Sequence, residues 1–174
     1  ETFRIINHNS NLQFKVSIVG SIDKILKTKA LELLNKYKMN DQIRFFGKTS
    51  QRKIVKIMQK HLIFLTTKLN DPCSNAIIEA MSCGLPVIFH NSGGNLELVR
   101  NAGWGFGKKN PIIEETTYDR KDLLLTLKKI TKDDISIKSK LARSRAQKYF
   151  NISKWEKEHI KVFNTSFAKL KNKV

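Results

Sequence analysis

Short apolar runs alternate with stretches of helical spacing along the first 107 residues. Residues 14–20 (FKVSIVG) form a β-branched run ending in glycine, the pattern of a strand. Residues 23–38 place Ile25, Leu26, Ala30, Leu33, Leu34 and Tyr37 at helical spacing. A second strand is predicted at 43–47 (IRFFG). Ser50 then stands where it can cap a helix whose apolar face is Ile54, Ile57 and Met58. Residues 61–66 (HLIFLT) predict a third strand and 75–83 a short apolar helix, with Gly84 placed to end it. Residues 85–89 (LPVIF) predict a fourth strand with Pro86 at its start, because proline has no N–H for a ladder. A helix over 94–101 and a short strand over 104–106 complete the series.

Strands alternating with helices predict a parallel sheet covered by helices on both faces. Nearly continuous apolar runs such as LIFL and PVIF suit central strands buried on both sides. Beyond Lys108 the pattern changes. A polar connector over 111–120 (PIIEETTYDR) leads into basic amphipathic helices at about 119–131, 134–149 and 153–170. The last of these offers Trp155, Ile160, Phe163 and Phe167 as its apolar face. No internal repeat or low-complexity tract interrupts the chain.

At 174 residues the length suits one domain with a short appendage, and a hydrophobic fraction of 40% is enough for a core. No apolar run reaches the ~20 residues needed to span a bilayer. The first residues carry neither the basic start nor the apolar block of a signal peptide, so a cytoplasmic location is expected. The chain has no initiator Met and reads as a piece of a longer protein. Cys73 and Cys83 are too few for a disulfide framework, and reduced thiols are expected. No CxxC or His/Cys cluster is present, so no metal is expected. The net charge of +18 has three readings. Lysines can simply be spread over solvated faces, they can face anionic lipid head groups, or they can face nucleic acid. No RNP, KH or zinc-finger pattern accompanies them, so nucleic acid is not the expected partner.

The chemistry concentrates in residues 71–99, DPCSNAIIEAMSCGLPVIFHNSGGNLELV. Ligands of open α/β sheets bind beyond the carboxyl ends of the strands. The loop after the third strand holds Asp71, and the helix that follows begins near Asn75. Free amides of Ser74, Asn75 and Ala76 at that helix tip make an anion site suited to phosphate. Glu79, a carboxylate on an otherwise apolar helix expected to be buried, must have a polar partner. Held one turn inward, it can grip vicinal hydroxyls such as ribose presents. Gly93 and Gly94 end the fourth strand and let backbone approach a ligand closely. Each residue also has a plainer reading: Asp71 as an Asp-Pro turn, Glu79 as a structural carboxylate, Glu97 as a partner of its helix dipole. Two carboxylates flanking a phosphate-binding helix tip suggest a sugar nucleotide.

These residues resemble a known family. Asp71 and Glu79 separated by seven residues, then EAMSCGLPV, then GGNLELV, are similar to the C-terminal half of GT-B retaining glycosyltransferases, glycosyltransferase family 4. The glycine-ended runs IVG (18–20) and RFFG (44–47) match the preceding part, so the likeness covers about residues 12–107. It implies a Rossmann-like parallel sheet, one half of a GT-B fold, with extra C-terminal helices. It divides the chain into a nucleotide-sugar-binding domain over 1–150, its first strand missing, and a helix over 151–174 that packs back toward an absent N-terminal domain.

The resemblance implies sugar transfer from a nucleotide diphosphate sugar to an acceptor hydroxyl, with retention, in polysaccharide or lipid-linked glycan synthesis. Glu79 would bind the ribose and Asp71 would face the donor sugar near its reacting carbon. The amides of Ser74, Asn75 and Ala76 would meet the diphosphate or sugar hydroxyls. Gly93 and Gly94 would line the donor, and Lys48 and Thr49 would lie near the base. No cofactor is implied, and the expected partners are the donor, the other half of the parent chain and an anionic membrane surface. Two departures stand out: Asp71 replaces the usual Glu, and Asn95 replaces the Pro that often follows the glycine pair. The Arg and Lys that neutralise the diphosphate have no counterpart, so this chain alone is expected not to catalyse transfer. The competing readings are a non-catalytic nucleotide-sugar-binding module and a basic nucleic-acid-binding domain.

Overall fold

A computed structural model describes residues 14–108 and 120–171. The predicted connector over 111–120, all but its last residue, and the stretch before Phe14 lie outside the described residues. Strands β1 (Val16–Val19), β2 (Ile43–Gly47), β3 (Phe64–Leu65), β4 (Val87–His90) and β5 (Gly103–Phe106) alternate with α1 (Lys24–Lys36), α2 (Gln51–Met58), α3 (Asn75–Ser82) and α4 (Asn95–Val99). Three further helices follow: α5 (Arg120–Lys128), α6 (Lys132–Tyr149) and α7 (Ile152–Lys171).

Among the described residues all the strand pairings are parallel, as the alternation predicts. They fall into two sheets among the described residues, β1-β2 and β3-β4-β5. The single sheet expected from sequence is therefore divided. The His61 ring bridges the division, with Nε2 2.8 Å from Ser17 Oγ and Nδ1 2.7 Å from Ile57 O. Two expected strands are shorter than predicted. Only Val16–Val19 of 14–20 pair, and only Phe64–Leu65 of 61–66.

Strand β4 is buried at every position, and its alternation sorts two cores. Val87 and Phe89 face one cluster, with Ile77 and Met81 of α3, Val99 of α4, and Ala142 and Ala146 of α6. Ile88 faces the other, with Phe106 of β5 and Leu123 and Leu127 of α5. The central sheet thus has helices on both faces. The small residues Ala142 and Ala146, one turn apart, let α6 lie close against α3.

The helix ends follow local chemistry. Gly84 takes φ +81° after α3, with its amide 2.9 Å from Met81 O and the Leu85 amide 2.9 Å from Ala80 O. That is a Schellman ending, and it is why glycine stands there. Pro86 precedes β4, and its carbonyl accepts from the Phe64 amide at 3.0 Å. Ser50 is at the N-cap of α2, but its side chain makes no capping bond, contrary to expectation. Asp23 caps α1, its side chain accepting from the Ile25 and Leu26 amides, and Thr131 and Asp134 form a capping box at α6.

Helix α7 extends from the domain with every described side chain exposed. Its predicted apolar face is uncovered: Trp155, Ile160, Phe163 and Phe167 are 55–63% exposed. The Trp155 and His159 rings stack at 3.8 Å between centroids.

The division between core and periphery sets a stability prediction. Phe89→Ala should cost about 3–5 kcal/mol, because a fully buried ring leaves a cavity. Ile25→Ala, at a position 66% exposed, should change stability by less than about 0.5 kcal/mol. Urea unfolding of the two variants checks the contrast.

Candidate functional site

The carboxyl ends of β3 and β4 each open into a loop, and the two loops touch. The Gly94 amide donates to Asp71 O at 2.9 Å. The approach is so close that a Cβ on Gly93 would stand 2.5 Å from Asp71 O, and one on Gly94 would overlap Pro72 O. Gly93 also has φ +61°, where a side chain is strained. The glycine pair is therefore required by the chain's own backbone, whatever else approaches it.

A small polar network fixes the same junction. Ser92 Oγ accepts from the Asn70 amide at 2.9 Å and lies 2.9 Å from His90 Nδ1. Asn70 sits at φ +52°, a conformation asparagine tolerates better than most residues. The His90 ring is buried and meets Phe106 edge-on at 5.3 Å. Asn95 is buried, and its Nδ2 donates to His90 O at 3.3 Å. Asparagine in place of the expected proline thus supplies a donor that ties α4 to the end of β4. Asn91 Nδ2 donates to Gly107 O at 2.7 Å, tying β4 to the end of β5.

Asp71 is 7% exposed and forms an ion pair with Lys68, Nζ to Oδ2 at 3.2 Å. Lys68 was not among the residues singled out from sequence. Its only signal there is a lysine three positions before the aspartate on the same loop. Ser74 occupies the N-cap of α3 and is buried, without a side-chain capping bond. Among the described residues nothing accepts from the amides of Ser74, Asn75 and Ala76, which leaves the helix tip open to an anion. Asn75 and Ala76 are exposed, and Glu79 one turn on is only half-buried. The fully buried charge expected from sequence is thus corrected: α3 buries Ile77, Ala80 and Met81 and turns Glu79 to its other side. No hydrogen bond or ion pair reaches the Glu79 carboxylate among the described residues.

Lys48 and Thr49 follow β2, in the other sheet. They lie at a strand's carboxyl end, and no hydrogen bond joins them to the Asp71 loop among the described residues. Cys73 is exposed and Cys83 half-buried, and both are free. Burial pushes the Cys83 thiol up, Arg143 lowers it, and Glu79 raises it. Among the described residues no three His, Cys, Asp or Glu side chains gather as a metal set. No described helix is long and apolar enough to cross a membrane.

Behind the site, a recess of about 350 Å³ is lined by Pro72, Cys73, Glu97, Arg100, Arg145 and Tyr149, among others. Arg145 lines it, donating from Nε to Leu98 O at 2.6 Å and from Nη2 to Glu97 O at 2.7 Å. Burial lowers its pKa, and the nearby Arg100 adds to that effect.

The family model described as Glycosyl transferases group 1 matches residues 1–148. The chain is 33% identical over 94 residues to a sucrose synthase of Melioribacter roseus, covering 51% of this chain and 12% of that protein. It is 41% identical over 66 residues to a probable sucrose-phosphate synthase of Thermosipho melanesiensis, covering 36% of this chain and 16% of that one. Among solved structures, a sucrose-phosphate synthase from Thermosynechococcus elongatus matches 97% of this chain and 42% of its own, at a TM-score of 0.75 and 20% identity. HepE of Anabaena in complex with UDP and glucose matches 94% and 44%, at 0.70 and 20%. The matched part of the chain therefore spans 12% and 16% of these curated relatives and under half of these solved ones.

The glycine contact carries its own prediction. Gly94→Ala should separate the two loops and destabilise the fold by about 1–3 kcal/mol, because the colliding atom is backbone. Gly84→Ala, with its Cβ 3.7 Å from Ser139 Oγ, should cost about 1 kcal/mol through its positive φ alone. Chemical denaturation of both variants compares them.

Proposed function

The chain belongs to the glycosyl transferases group 1 family, and from that premise we propose that it is the donor-binding half of a retaining sugar transferase. The observation that carries this reading is the open tip of α3. Three amides without acceptors and a half-buried Glu79 without a partner, both among the described residues, lie within nine residues of the buried Asp71. Complexes of HepE with UDP, with UDP and glucose, and with UDP-glucose support a nucleotide sugar as the ligand class.

In this reading the amides of Ser74, Asn75 and Ala76 receive the diphosphate, aided by the positive end of the α3 dipole. Glu79 accepts hydrogen bonds from the ribose diol. Asp71 faces the sugar beside Gly93 and Gly94, and its pairing with Lys68 orients it. Lys48 and Thr49 stand toward the base. Transfer breaks the bond between the anomeric carbon and the diphosphate and forms one to an acceptor hydroxyl on the same face. Donors aimed at the departing diphosphate stabilise its developing charge, so the reading needs no metal or cofactor.

The acceptor site is assigned to a separate half of a longer protein. Support comes from the solved relatives, of which this chain matches 42% and 44%. The uncovered face of α7 is the natural seat for that half, and this chain by itself binds donor without turnover. The lysine-rich outer surfaces of α6 and α7 suit an anionic membrane.

Calorimetry with UDP-glucose and GDP-mannose tests the donor site. Glu79→Ala should weaken binding about tenfold or more, since a hydrogen bond to a charged group contributes about 1.5–3 kcal/mol. Unchanged affinity would remove Glu79 from the site. For the membrane partner, the chain should bind vesicles containing phosphatidylglycerol at low salt. It should leave them at about 1 M salt, where the screening length is about 3 Å.

A further inference from the structure

Helix α6 sends four side chains to backbone carbonyls around the far ends of α3 and α4. Ser139 Oγ donates to Gly84 O at 2.7 Å, and Arg143 donates to Ser82 O. Lys138 Nζ donates to Asn101 O at 3.0 Å. Arg145 grips two carbonyls at once, Leu98 O and Glu97 O. Helix C-termini leave their last carbonyls without partners, and a cation there also meets the negative end of the dipole. The arginine fork is itself held, 4.9 Å over the Tyr149 ring and 5.7 Å from the Phe150 ring.

The two gripped helices serve different halves of the site. Arg143 and Ser139 hold the end of α3, whose other end is the open tip and whose second turn carries Glu79. Arg145 holds α4, which has only five residues. At the opposite end of α4 stands Gly94, whose amide donates to Asp71 O at 2.9 Å. A clamp on one end of so short a helix sets the position of the other.

We propose that Arg145 is a positioning residue. By holding Glu97 O and Leu98 O it fixes the Gly93–Gly94 turn, and through Gly94 it fixes Asp71 against the sugar portion of the donor. The role assigned to the sugar rests on the donor-site reading above; the clamp rests on geometry alone. Arg143 and Ser139 act on α3 and so on the nucleotide portion.

The test uses the full 174-residue chain, Arg145→Met and Arg145→Lys. Backbone hydrogen exchange is followed at Gly94 and Gly84, and calorimetry is run with UDP and with UDP-glucose. In Arg145→Met the Gly94 amide should exchange faster while Gly84 is unchanged. UDP affinity should stay within about twofold, and UDP-glucose affinity should fall about tenfold. Arg145→Lys should recover part of both effects, because an ammonium has no planar fork for two carbonyls. If Arg145→Met does not fold, the same comparison is made on Arg145→Lys, where a smaller rise in Gly94 exchange is expected. Unchanged Gly94 exchange, or an equal loss for UDP and UDP-glucose, would overturn the proposal. Should the wild-type chain bind neither compound, the donor reading fails, and the Gly94 exchange still decides the clamp.

Discussion

Where the amide of Gly94 donates to Asp71 O, the loops leaving two adjacent parallel strands meet through backbone alone. No side chain fits between them, so residues 93 and 94 are glycine. The contact gives Asp71 its place: its carbonyl is taken by α4, its side chain is buried, and Lys68 pairs with its carboxylate. Ser92, His90 and Asn70 hold the loop from the inside. The α3 tip begins three residues after Asp71 and inherits its position from the same junction.

Much of this was legible in the sequence because it depends on local chemistry. The alternation of strands and helices, the stop at Gly84 and the placement of Pro86 follow from periodicity and from what glycine and proline permit. The α3 tip with Asp71 and Glu79 on either side was readable for the same reason. What escaped was tertiary. Nothing in the sequence pairs His90 with Ser92, and only the burial of β4 brings them into a network. Lys68 looked like one more lysine among 33 basic residues. Ser50 has the right residue type for a cap and does not act as one, because propensity states a preference and not a bond.

The half-buried setting of Glu79 departs from what the sequence pattern of α3 suggests. An apolar helix containing one carboxylate suggests a buried charge, and a buried charge demands a partner. In α3 the apolar residues Ile77, Ala80 and Met81 fill the core side, while Glu79 stands with Asn75 and Ala76 toward the outside. A half-buried carboxylate costs far less to leave unpaired than a buried one. Glu79 therefore points to a ligand by its place in the arrangement and not by an unpaid cost of burial. What distinguishes Glu79 is its place one turn behind three unbonded amides.

Short elements cannot hold such an arrangement by themselves. Strand β3 has two residues and α4 has five, and isolated helices below about 12 residues are marginal in water. Helix α6 has 18 residues and its own capping box, so it brings the rigidity that these elements lack. Ala142 and Ala146 bring it close enough to join the core, and Ser139, Arg143 and Arg145 then reach backbone carbonyls that would otherwise lack partners. Packing alone leaves a short helix free to slide along its axis, because apolar contact is non-directional. A guanidinium bonded to two successive carbonyls removes that freedom. Order at the front of the candidate site thus follows from hydrogen bonds made at its back by α6.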